Sequence, residues 1–353
     1  RLFLIKYLLN ENSKYSDIII PEDIEEQKRL LRSLLNVRMP KKVSNEFLEI
    51  QDSYLQEEIS KKGITDIREL EPIKNEIYVW QGDITTLKCD AIVNAANSQM
   101  LGCFYPCHSC IDNAIHTFAG VQLRLECEKI MKLQNRLEET GKAKITSAYN
   151  LPCKYVLHTV GPIVRGRLCK NDEEKLASCY RSCLEIAEQS GVKSIAFCCI
   201  STGEFHFPNE KAAEIAVNTV KDYKSKTNSS MEVIFNVFKD SDYEWLLVID
   251  CLKNTGMGIK DIKRFIEMVI AGDSTIKERL QMIIRQRESV KEQMEKLQQT
   301  MDVLDYKVWY YSTADKAGTT SVPRNMPEEQ VPENLRAARR RLKIIHAKAD
   351  DLN

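Results

Sequence analysis

The segment LGCFYPCHSC, residues 101–110, places three cysteines and a histidine within ten positions, directly after a run typical of a buried strand. Thiolates and imidazoles are ligands that Zn²⁺ prefers in proteins. Three such ligands with an open fourth position would suit a catalytic ion, whereas four, with Cys107 included, would close a structural Cys3His site. Without an ion, the cysteines would act as small apolar side chains in a core. The residues alone leave these interpretations open.

Three further loops follow strand-like segments, at the position where ligands gather in open α/β sheets. In QGDIT, residues 81–85, Asp83 can accept a hydrogen bond from an amine such as that of adenine, or it can serve as a turn or cap residue. NAANS, residues 94–98, offers amides to ribose hydroxyls, or forms a simple turn. ISTGEFHFP, residues 200–208, can cradle a diphosphate through backbone N–H groups. One such loop is weak support for a ligand, whereas three in this order are much stronger.

The elements that must position these loops change character along the chain. The first 70 or so residues have apolar side chains at helical spacing, as in IEEQKRLLRSLLNVR and VSNEFLEIQDSYLQEEIS. From 77 to 240, short runs such as CDAIVNAAN and YVLHTVGP alternate with amphipathic helices. This alternation predicts an α/β layered domain with a largely parallel sheet.

Beyond residue 246 the strand pattern ends and helical periodicity takes over. Apolar residues recur at spacings of three and four over about four heptads, from Leu280 to Tyr311, with Arg287 as the exception. This narrow stripe predicts a coiled coil, and because one helix cannot bury it alone, we expect a homodimer. The tail is polar and contains several prolines, and we expect its basic run ARRRLK, 338–343, to be solvated rather than bound to phosphate.

The composition is that of a soluble globular protein. The 353 residues are 43% apolar and 29% charged with a formal net charge of zero, which argues against a globally basic nucleic-acid binder. No apolar run is long enough to span a membrane, and the opening RLFLIKYLLNEN does not match a signal peptide. The 12 cysteines are therefore expected to be reduced thiols in a cytoplasmic protein.

Five motifs between residues 77 and 240 resemble those of the macrodomain family and occur in the family's order. They are GDIT, DAIVNAANS, DNAIHTFAG, GKAKIT followed by YNLPCKYVLHTVGP, and ISTGEFHFP. The resemblance implies a mixed, mostly parallel sheet between helices and a cleft that binds ADP-ribose. Many members of the family also hydrolyse ADP-ribose linkages.

One departure from most macrodomains is QMLGCFYPCHSCIDNAIH, which stands where they have a glycine-rich stretch. This segment resembles the zinc-containing branch of the family, which also carries a helical N-terminal extension, so that the resemblance covers residues 1–240. In that branch a C-F-x-P-x-H-x-C pattern supplies the zinc ligands. It implies one Zn²⁺ per chain, bound by Cys103, His108 and Cys110 with an open fourth position, while Cys107 points away.

The resemblance also implies how ADP-ribose lies in the cleft. Asp83 and Ile84 would contact the adenine side, Asn97 would face the distal ribose, and Asp112 would line the phosphate and ribose region. The loop that binds the diphosphate would consist of Ser201, Thr202, Gly203, Glu204 and Phe205. We expect Asn97 and Asp112 to act in catalysis together with the zinc.

These positions predict a zinc-dependent hydrolase that removes ADP-ribose from modified proteins by cleaving an O-glycosidic link to an acidic side chain. The family further implies a sirtuin-type ADP-ribosyltransferase as its opponent and a lipoyl-carrying relative of the glycine cleavage H protein as its target. We expect His116 and His158, outside the ligand set, to pack in the core. A non-catalytic reader of ADP-ribose is one alternative, and a MerR-type regulator with a macrodomain sensor is another.

Residues 243–345 resemble a second family, the MerR transcription regulators, in the run from WLLVIDCLKNTG to DSTIKERL, in DYKVWYY and in VPRNMP. They match that family's second helix pair, coiled coil and tail. The recognition helices, which carry the major-groove contacts, should lie just upstream of Trp245, where the strand-like run VIFNVF stands. The resemblance implies a truncated regulator that dimerises, and we do not expect it to bind DNA.

Together these patterns divide the chain into four parts. They are a helical extension at 1–75, the zinc-containing macrodomain at 76–241, MerR-like linker helices at 242–273, and a dimerisation helix with a polar tail at 274–353. The fold class is therefore α/β, followed by an all-α module.

Overall fold

The computed structural model of the chain describes residues 1–15, 17–73, 76–238, 252 and 255–350. It divides into two compact units, Arg1–Cys251 and Leu252–Asn353. The predicted boundary at 241/242 and the SDYEW junction lie outside the described residues. None of the helices that the structure describes is both long and apolar enough to cross a membrane.

The first unit begins with three helices, α1 (Leu2–Asn10), α2 (Ile24–Val37) and α3 (Asn45–Lys62). This confirms the predicted helical start, and α2 and α3 are the two segments in which the periodicity was found. The Asp23 carboxylate accepts a hydrogen bond from the Glu26 N–H at the start of α2, and the Ser44 hydroxyl accepts one from the Phe47 N–H at the start of α3. Such caps satisfy N–H groups that the first helical turn leaves free. The inner faces of these helices meet in an apolar cluster that includes Leu4, Ile5, Leu8, Leu31, Leu34, Leu35 and Phe47.

The strands of the first unit form two sheets. Their bounds are β1 (Thr65–Asp66), β2 (Ile77–Gln81), β3 (Leu87–Lys88), β4 (Ala91–Ala96), β5 (Ala143–Ser147), β6 (Tyr155–Val160), β7 (Ser194–Phe197) and β8 (Glu232–Val237). The short strands β1 and β3 pair with each other, and the other six lie in the order β2-β8-β7-β4-β6-β5. All neighbours in the larger sheet are parallel except β5, which runs antiparallel to β6. This order confirms the predicted α/β fold with a mostly parallel sheet.

Four more helices pack on this sheet: α4 (Ile111–Ala119), α5 (Val121–Gln134), α6 (Lys170–Gln189) and α7 (Asn209–Thr227). Every residue of β7 and all but one of β4 are buried, including those whose side chains point to opposite faces. Strands buried on both faces are typical of a parallel sheet covered by helices. The loops that follow these strands are therefore held by a rigid core.

Strand β5 was not predicted as a strand, although its residues were recognised as part of the GKAKIT motif. It is only five residues long, lies at the sheet edge and alternates poorly between buried and exposed positions. A short edge strand with a polar face has few apolar residues at regular spacing, so the sequence alone does not reveal that it pairs with β6.

The described part of the second unit is helical: α8 (Ile259–Ile270), α9 (Ile276–Ala317), α10 (Ser321–Asn325) and α11 (Glu333–Asp350). The predicted heptad stripe lies on α9, which is one continuous helix of 42 residues. Within the described part of the second unit the stripe is largely exposed, since Met294, Leu297 and Val308 are 65%, 67% and 66% exposed.

The basic run at 338–343 is not a solvated tail, which corrects the expectation. It lies on α11, which packs on α9 through an apolar cluster of Tyr306, Val331, Leu335 and Ala338. Arg339 is 4% exposed and donates hydrogen bonds to the carbonyl oxygens of Arg324 and Met326. Because the apolar residues between the arginines face α9, the helix buries one side of a run that looks wholly polar in sequence.

Candidate functional site

The predicted site residues follow three strands of the parallel sheet and meet at its carboxyl edge. Asp83 follows β2, Asn97 follows β4, and residues 201–205 follow β7. In the sheet, β8 and β7 lie between β2 and β4, which places those two strands about 14 Å apart at ordinary strand spacing. The three loops therefore line one continuous edge, with residues 201–205 between Asp83 and Asn97.

The Cys/His loop, residues 101–110, lies beside Asn97 at one end of this edge. The ligand atoms of Cys103, His108 and Cys110 lie within 4.8 Å of one another, and all three side chains are half-buried. The Cys110 N–H donates to His108 Nδ1 at 3.3 Å, while His108 Nε2 lies 3.7 Å from Glu204 Oε1. Burial raises the pKa of the Cys110 thiol to about 12, and the neighbouring Cys103 adds to the effect. The structure thus brings the three predicted ligands together.

The fourth candidate ligand, Cys107, faces helix α2 instead. Its Sγ lies 3.2 Å from Ser33 Oγ and 3.4 Å from the carbonyl oxygen of Arg29. Its N–H donates to Asn36 Oδ1 at 2.9 Å, and its backbone takes a left-handed φ of 50°. The thiol therefore belongs to the contact with α2 and lies outside the three-residue cluster, as expected for an open site.

Asp112 lies in the first turn of α4, two residues after Cys110, and it is 5% exposed. Its Oδ1 accepts a hydrogen bond from Asn94 Nδ2 at 2.8 Å, and its Oδ2 accepts one from Asn97 Nδ2 at 3.4 Å. Burial raises the pKa of Asp112 to about 6, although the Asn94 hydrogen bond and the charge of Arg124 act in the opposite direction. A buried acid with a perturbed pKa in a cleft is a candidate for proton transfer.

Two histidines lie beneath Asp112. His158 on β6 is fully buried, with Nδ1 3.1 Å from Asn94 Nδ2 and Nε2 2.9 Å from Thr146 Oγ1. Burial lowers the pKa of His158 to about 3, so the ring is neutral. Both His158 and His116 are buried, as predicted, but His116 lies nearer to the site than expected, with Nε2 3.5 Å from Asp112 Oδ1.

The Ser-Thr-Gly loop, residues 201–205, has the backbone of an anion-binding turn. Ser201 takes a left-handed φ of 66°, and its buried hydroxyl has no hydrogen-bond partner among the described residues. In the same part of the chain, the N–H groups of Gly203, Glu204 and Phe205 donate no hydrogen bond within the protein. Successive free N–H groups in a turn attract anions such as a diphosphate.

Asp83 at the far end of the edge is already hydrogen-bonded. Its Oδ1 accepts from the Thr85 N–H at 3.0 Å, and its Oδ2 pairs with Lys62 of α3 at 2.8 Å. Burial opposes ionisation, but Lys62 and Thr85 hold the pKa of Asp83 below its usual value. Its side chain is 36% exposed, so it can still accept from a ligand. The Ile84 side chain is 1% exposed, which leaves only its backbone to face a ligand.

Arg124 on α5 is a site-supporting residue that the sequence did not reveal. Its Nε donates to the Leu101 carbonyl oxygen at 2.7 Å, and its Nη1 donates to the carbonyl oxygens of Leu35 and Asn36, each at 3.0 Å. Its guanidinium carbon lies 4.5 Å from the centre of the Phe104 ring. An arginine within an ordinary helical pattern carries no sign of such contacts, so no sequence signal could have identified it.

Helix α2 contacts the Cys/His loop from the opposite side. Arg32 Nη2 donates to the His108 carbonyl oxygen at 3.0 Å and to Asn113 Oδ1 at 2.9 Å. Together with the Cys107 contacts, these bonds make the N-terminal helices part of the frame that holds the loop.

Comparisons with known proteins identify the family to which the chain belongs. The sequence model of the Macro domain matches residues 93–216. A protein-ADP-ribose hydrolase from Treponema medium is 62% identical over 246 residues, which cover 69% of this chain and 94% of that protein. This chain belongs to the macrodomain family. The macrodomain chain is also 51% identical over 244 residues to a protein-ADP-ribose hydrolase from Staphylococcus aureus (strain MRSA252), covering 69% of this chain and 91% of that protein.

Two further matches complete the comparison. A solved structure of the Trypanosoma brucei macrodomain in complex with ADP-ribose is 29% identical, with a TM-score of 0.49, and covers 63% of this chain and 94% of that one. Beyond the macrodomain, residues 243–306 match a sequence model described as MerR, DNA binding. The predicted union of two families in one chain is thus confirmed.

One aromatic residue near Asp83 also escaped the sequence argument. Phe238 follows β8 of the macrodomain and is 78% exposed. The preceding residue, Val237, accepts a hydrogen bond from the Gly82 N–H at 3.1 Å, which places this strand end beside Asp83. An exposed aromatic ring offers a flat apolar face of the kind that can stack on a base. In the sequence Phe238 is only an aromatic residue at the end of a strand. The pairing of β2 with β8 is what places it near Asp83.

Proposed function

We propose that this macrodomain hydrolyses the bond between ADP-ribose and a modified protein side chain, with one Zn²⁺ bound by Cys103, His108 and Cys110. The observation that carries the proposal is the position of this Cys/His cluster beside Asn97 and Asp112, at one end of the loop-lined edge. Hydrolysis rather than binding alone is supported by the Treponema and Staphylococcus relatives, which are named protein-ADP-ribose hydrolases.

The donor chemistry of the cluster supports zinc. Two thiols and an imidazole are a ligand set that Zn²⁺ prefers, and the placement of Cys107 against α2 leaves the fourth position free. Zn²⁺ bound there would supply Lewis acidity next to the distal ribose.

The chain's own residues would perform the remaining tasks. The Asn97 amide, whose Nδ2 lies 3.2 Å from the Gly102 carbonyl oxygen, would turn to hydrogen-bond a hydroxyl of the distal ribose. Asp112, with its raised pKa, would accept and return a proton near neutral pH. The free N–H groups of the Ser-Thr-Gly loop would bind the diphosphate. A diphosphate fixed in this way would keep the scissile bond next to Asp112.

Metal content and release of free ADP-ribose, measured on the same samples, test this proposal. Cys103→Ser and Cys110→Ser should lose bound zinc and lower the rate of release about 100-fold or more, because each removes one of three ligands. Cys107→Ser is the matched control in the same loop and should keep both properties. A Cys103→Ser protein without zinc that retains full turnover would contradict the metal's role. A wild-type protein that binds ADP-ribose and never releases it from a modified protein would support the reader instead.

The second unit supports a proposal about assembly. The apolar stripe on α9 is exposed along its length, and a second copy of the chain is the simplest partner that would bury it. We propose a homodimer through this helix.

DNA binding is a second candidate because residues 243–306 match the MerR, DNA binding model. Against it, four arginines of the basic run and its neighbourhood already hydrogen-bond within the chain: Arg336, Arg339, Arg340 and Arg341. A gel-shift titration with genomic DNA fragments tests whether the chain binds DNA. We expect no complex that resists competitor DNA.

A further inference from the structure

Three loops border the site at the end where the distal ribose would lie: residues 94–110, 161–169 and 200–208. Apart from histidine, the charged residues of these three loops are Arg165, Arg167 and Glu204. Both arginines are exposed, and within the described part of the chain neither forms an ion pair. Glu204 is exposed, and its Oε1 lies 3.7 Å from His108 Nε2. The rim of the site therefore carries two exposed arginines that form no ion pair among the described residues, and the acidic residues that follow them, Asp172 to Glu174, lie on α6.

These two arginines lie on the rim loop, residues 161–169, whose first residues contact the Ser-Thr-Gly loop. The Val164 N–H donates to the Phe205 carbonyl oxygen at 2.9 Å, and Val164 is 7% exposed. Gly161 packs so closely that a Cβ there would lie 2.0 Å from Ser201 Oγ. Arg165 directly follows Val164, so its backbone is held next to the loop that would bind the diphosphate.

The same rim also exposes apolar side chains. Ile163 on the rim loop is 48% exposed, and Tyr105 on the Cys/His loop is 68% exposed. The Tyr105 ring lies 5.5 Å from the His108 ring, in an edge-on arrangement. Exposed apolar side chains on these loops, together with the exposed arginines of the rim loop, form a surface suited to a peptide with acidic residues.

We propose that the rim loop and Tyr105 dock the protein part of the substrate and select an acidic segment beside the modified residue. This inference rests on the proposed function, because the bond to be cleaved joins the distal ribose to a polypeptide. We place that polypeptide over the Cys/His loop and the rim loop, because the first contacts Asn97 and the second follows β6, the neighbour of the strand that precedes Asn97. Unpaired arginines on this path would attract carboxylates of the substrate and repel basic segments.

The experiment measures affinity rather than turnover, in an Asp112→Asn background that slows hydrolysis. Three fluorescent ligands are compared by anisotropy: free ADP-ribose, and two peptides with one O-linked ADP-ribose flanked either by Asp and Glu or by Lys. The chain with both arginines intact should bind the acidic peptide about tenfold more tightly than the basic one, and added salt should reduce the difference.

The double substitution Arg165→Glu with Arg167→Glu should remove or reverse this preference and leave the affinity for free ADP-ribose unchanged. Arg181→Glu is the matched control, since Arg181 is exposed on α6 about three turns beyond the rim loop. It should alter none of the three affinities.

Two results would overturn the inference. The first is an equal affinity of the starting protein for the acidic and the basic peptide. The second is a double variant whose affinity falls equally for free ADP-ribose and for both peptides, which would assign the arginines to the diphosphate. Failure of the starting protein to bind free ADP-ribose would contradict the proposed function, and this inference with it.

Discussion

At the scale of single residues, Cys103 and Cys107 show how the fold separates two chemically identical groups. They lie four residues apart in one loop, yet the first belongs to the Cys/His cluster and the second contacts Ser33 on α2. The left-handed backbone at Cys107 and the hydrogen bond from its N–H to Asn36 direct its side chain away from the cluster. A similar distinction holds for Asp112 and Asp83, because only the first is almost fully buried.

We predict that Asp112→Asn lowers the rate of ADP-ribose release about 100-fold or more, because an amide keeps the hydrogen bond to Asn94 but cannot take up a proton. The affinity for free ADP-ribose should change little. Single-turnover release and equilibrium binding measure the two effects separately. Asp222→Asn, an exposed position on α7, is the control and should behave like wild type. Full turnover by the Asp112→Asn protein would remove this carboxylate from the mechanism.

At the scale of elements, the N-terminal helices act as a support for the site. Arg124 joins the end of α2 to the Leu101 carbonyl oxygen, and Arg32 joins α2 to the His108 carbonyl oxygen. The guanidinium of Arg124 is buried, and burial lowers its pKa to about 10, so it remains charged at neutral pH. Several carbonyl groups therefore depend on one side chain for their hydrogen bonds.

We predict that Arg124→Met lowers the free energy of unfolding by about 3 kcal/mol, because it leaves several buried carbonyl oxygens without a donor. It should also weaken zinc binding, since the Cys/His loop loses its bond at Leu101. Urea denaturation and a competitive zinc titration measure the two effects. Arg136→Met removes an exposed pair with Glu139 and should cost less than about 1 kcal/mol. Equal stability of the two variants would contradict the supporting role of Arg124.

At the scale of the whole molecule, the residues proposed for chemistry and those proposed for assembly lie in different units. All predicted site residues belong to the first unit, and the exposed heptad stripe belongs to the second. A stripe of this kind is a liability in a monomer, because long exposed apolar rows promote association. We therefore expect the second unit to determine the oligomeric state and the first unit to carry the hydrolase activity.

We predict that Met294→Glu with Leu297→Glu converts a dimer to a monomer, because it places like charges in the seam where two copies would meet. Sedimentation equilibrium at micromolar concentration measures the mass. Gln299→Glu, on the same helix but outside the stripe, should leave the dimer intact. The rate of ADP-ribose release per chain should be the same in all three proteins. A wild-type chain that sediments as a monomer would contradict the assembly proposed for α9.

Much of the fold follows from local patterns. The helical start, the alternation of strands and helices, and the long helix with its stripe were all predicted, because each depends on the spacing of apolar residues along the chain. Strand β5 and the packing of α11 were not predicted. The first is a short polar edge strand, and the second hides its apolar residues among arginines, so neither produces a clear pattern.

The sequence by itself determined the kind of protein: motif order indicated a macrodomain, and the types Cys, His and Cys indicated a metal site. Only the tertiary structure decided which atoms meet. It placed Cys107 against α2, brought Arg124 under the Cys/His loop, set His116 beside Asp112 and left two arginines exposed on the rim. The physical reason is that residue type and spacing limit the possible chemistry, whereas contacts between positions tens of residues apart depend on how buried surfaces pack together.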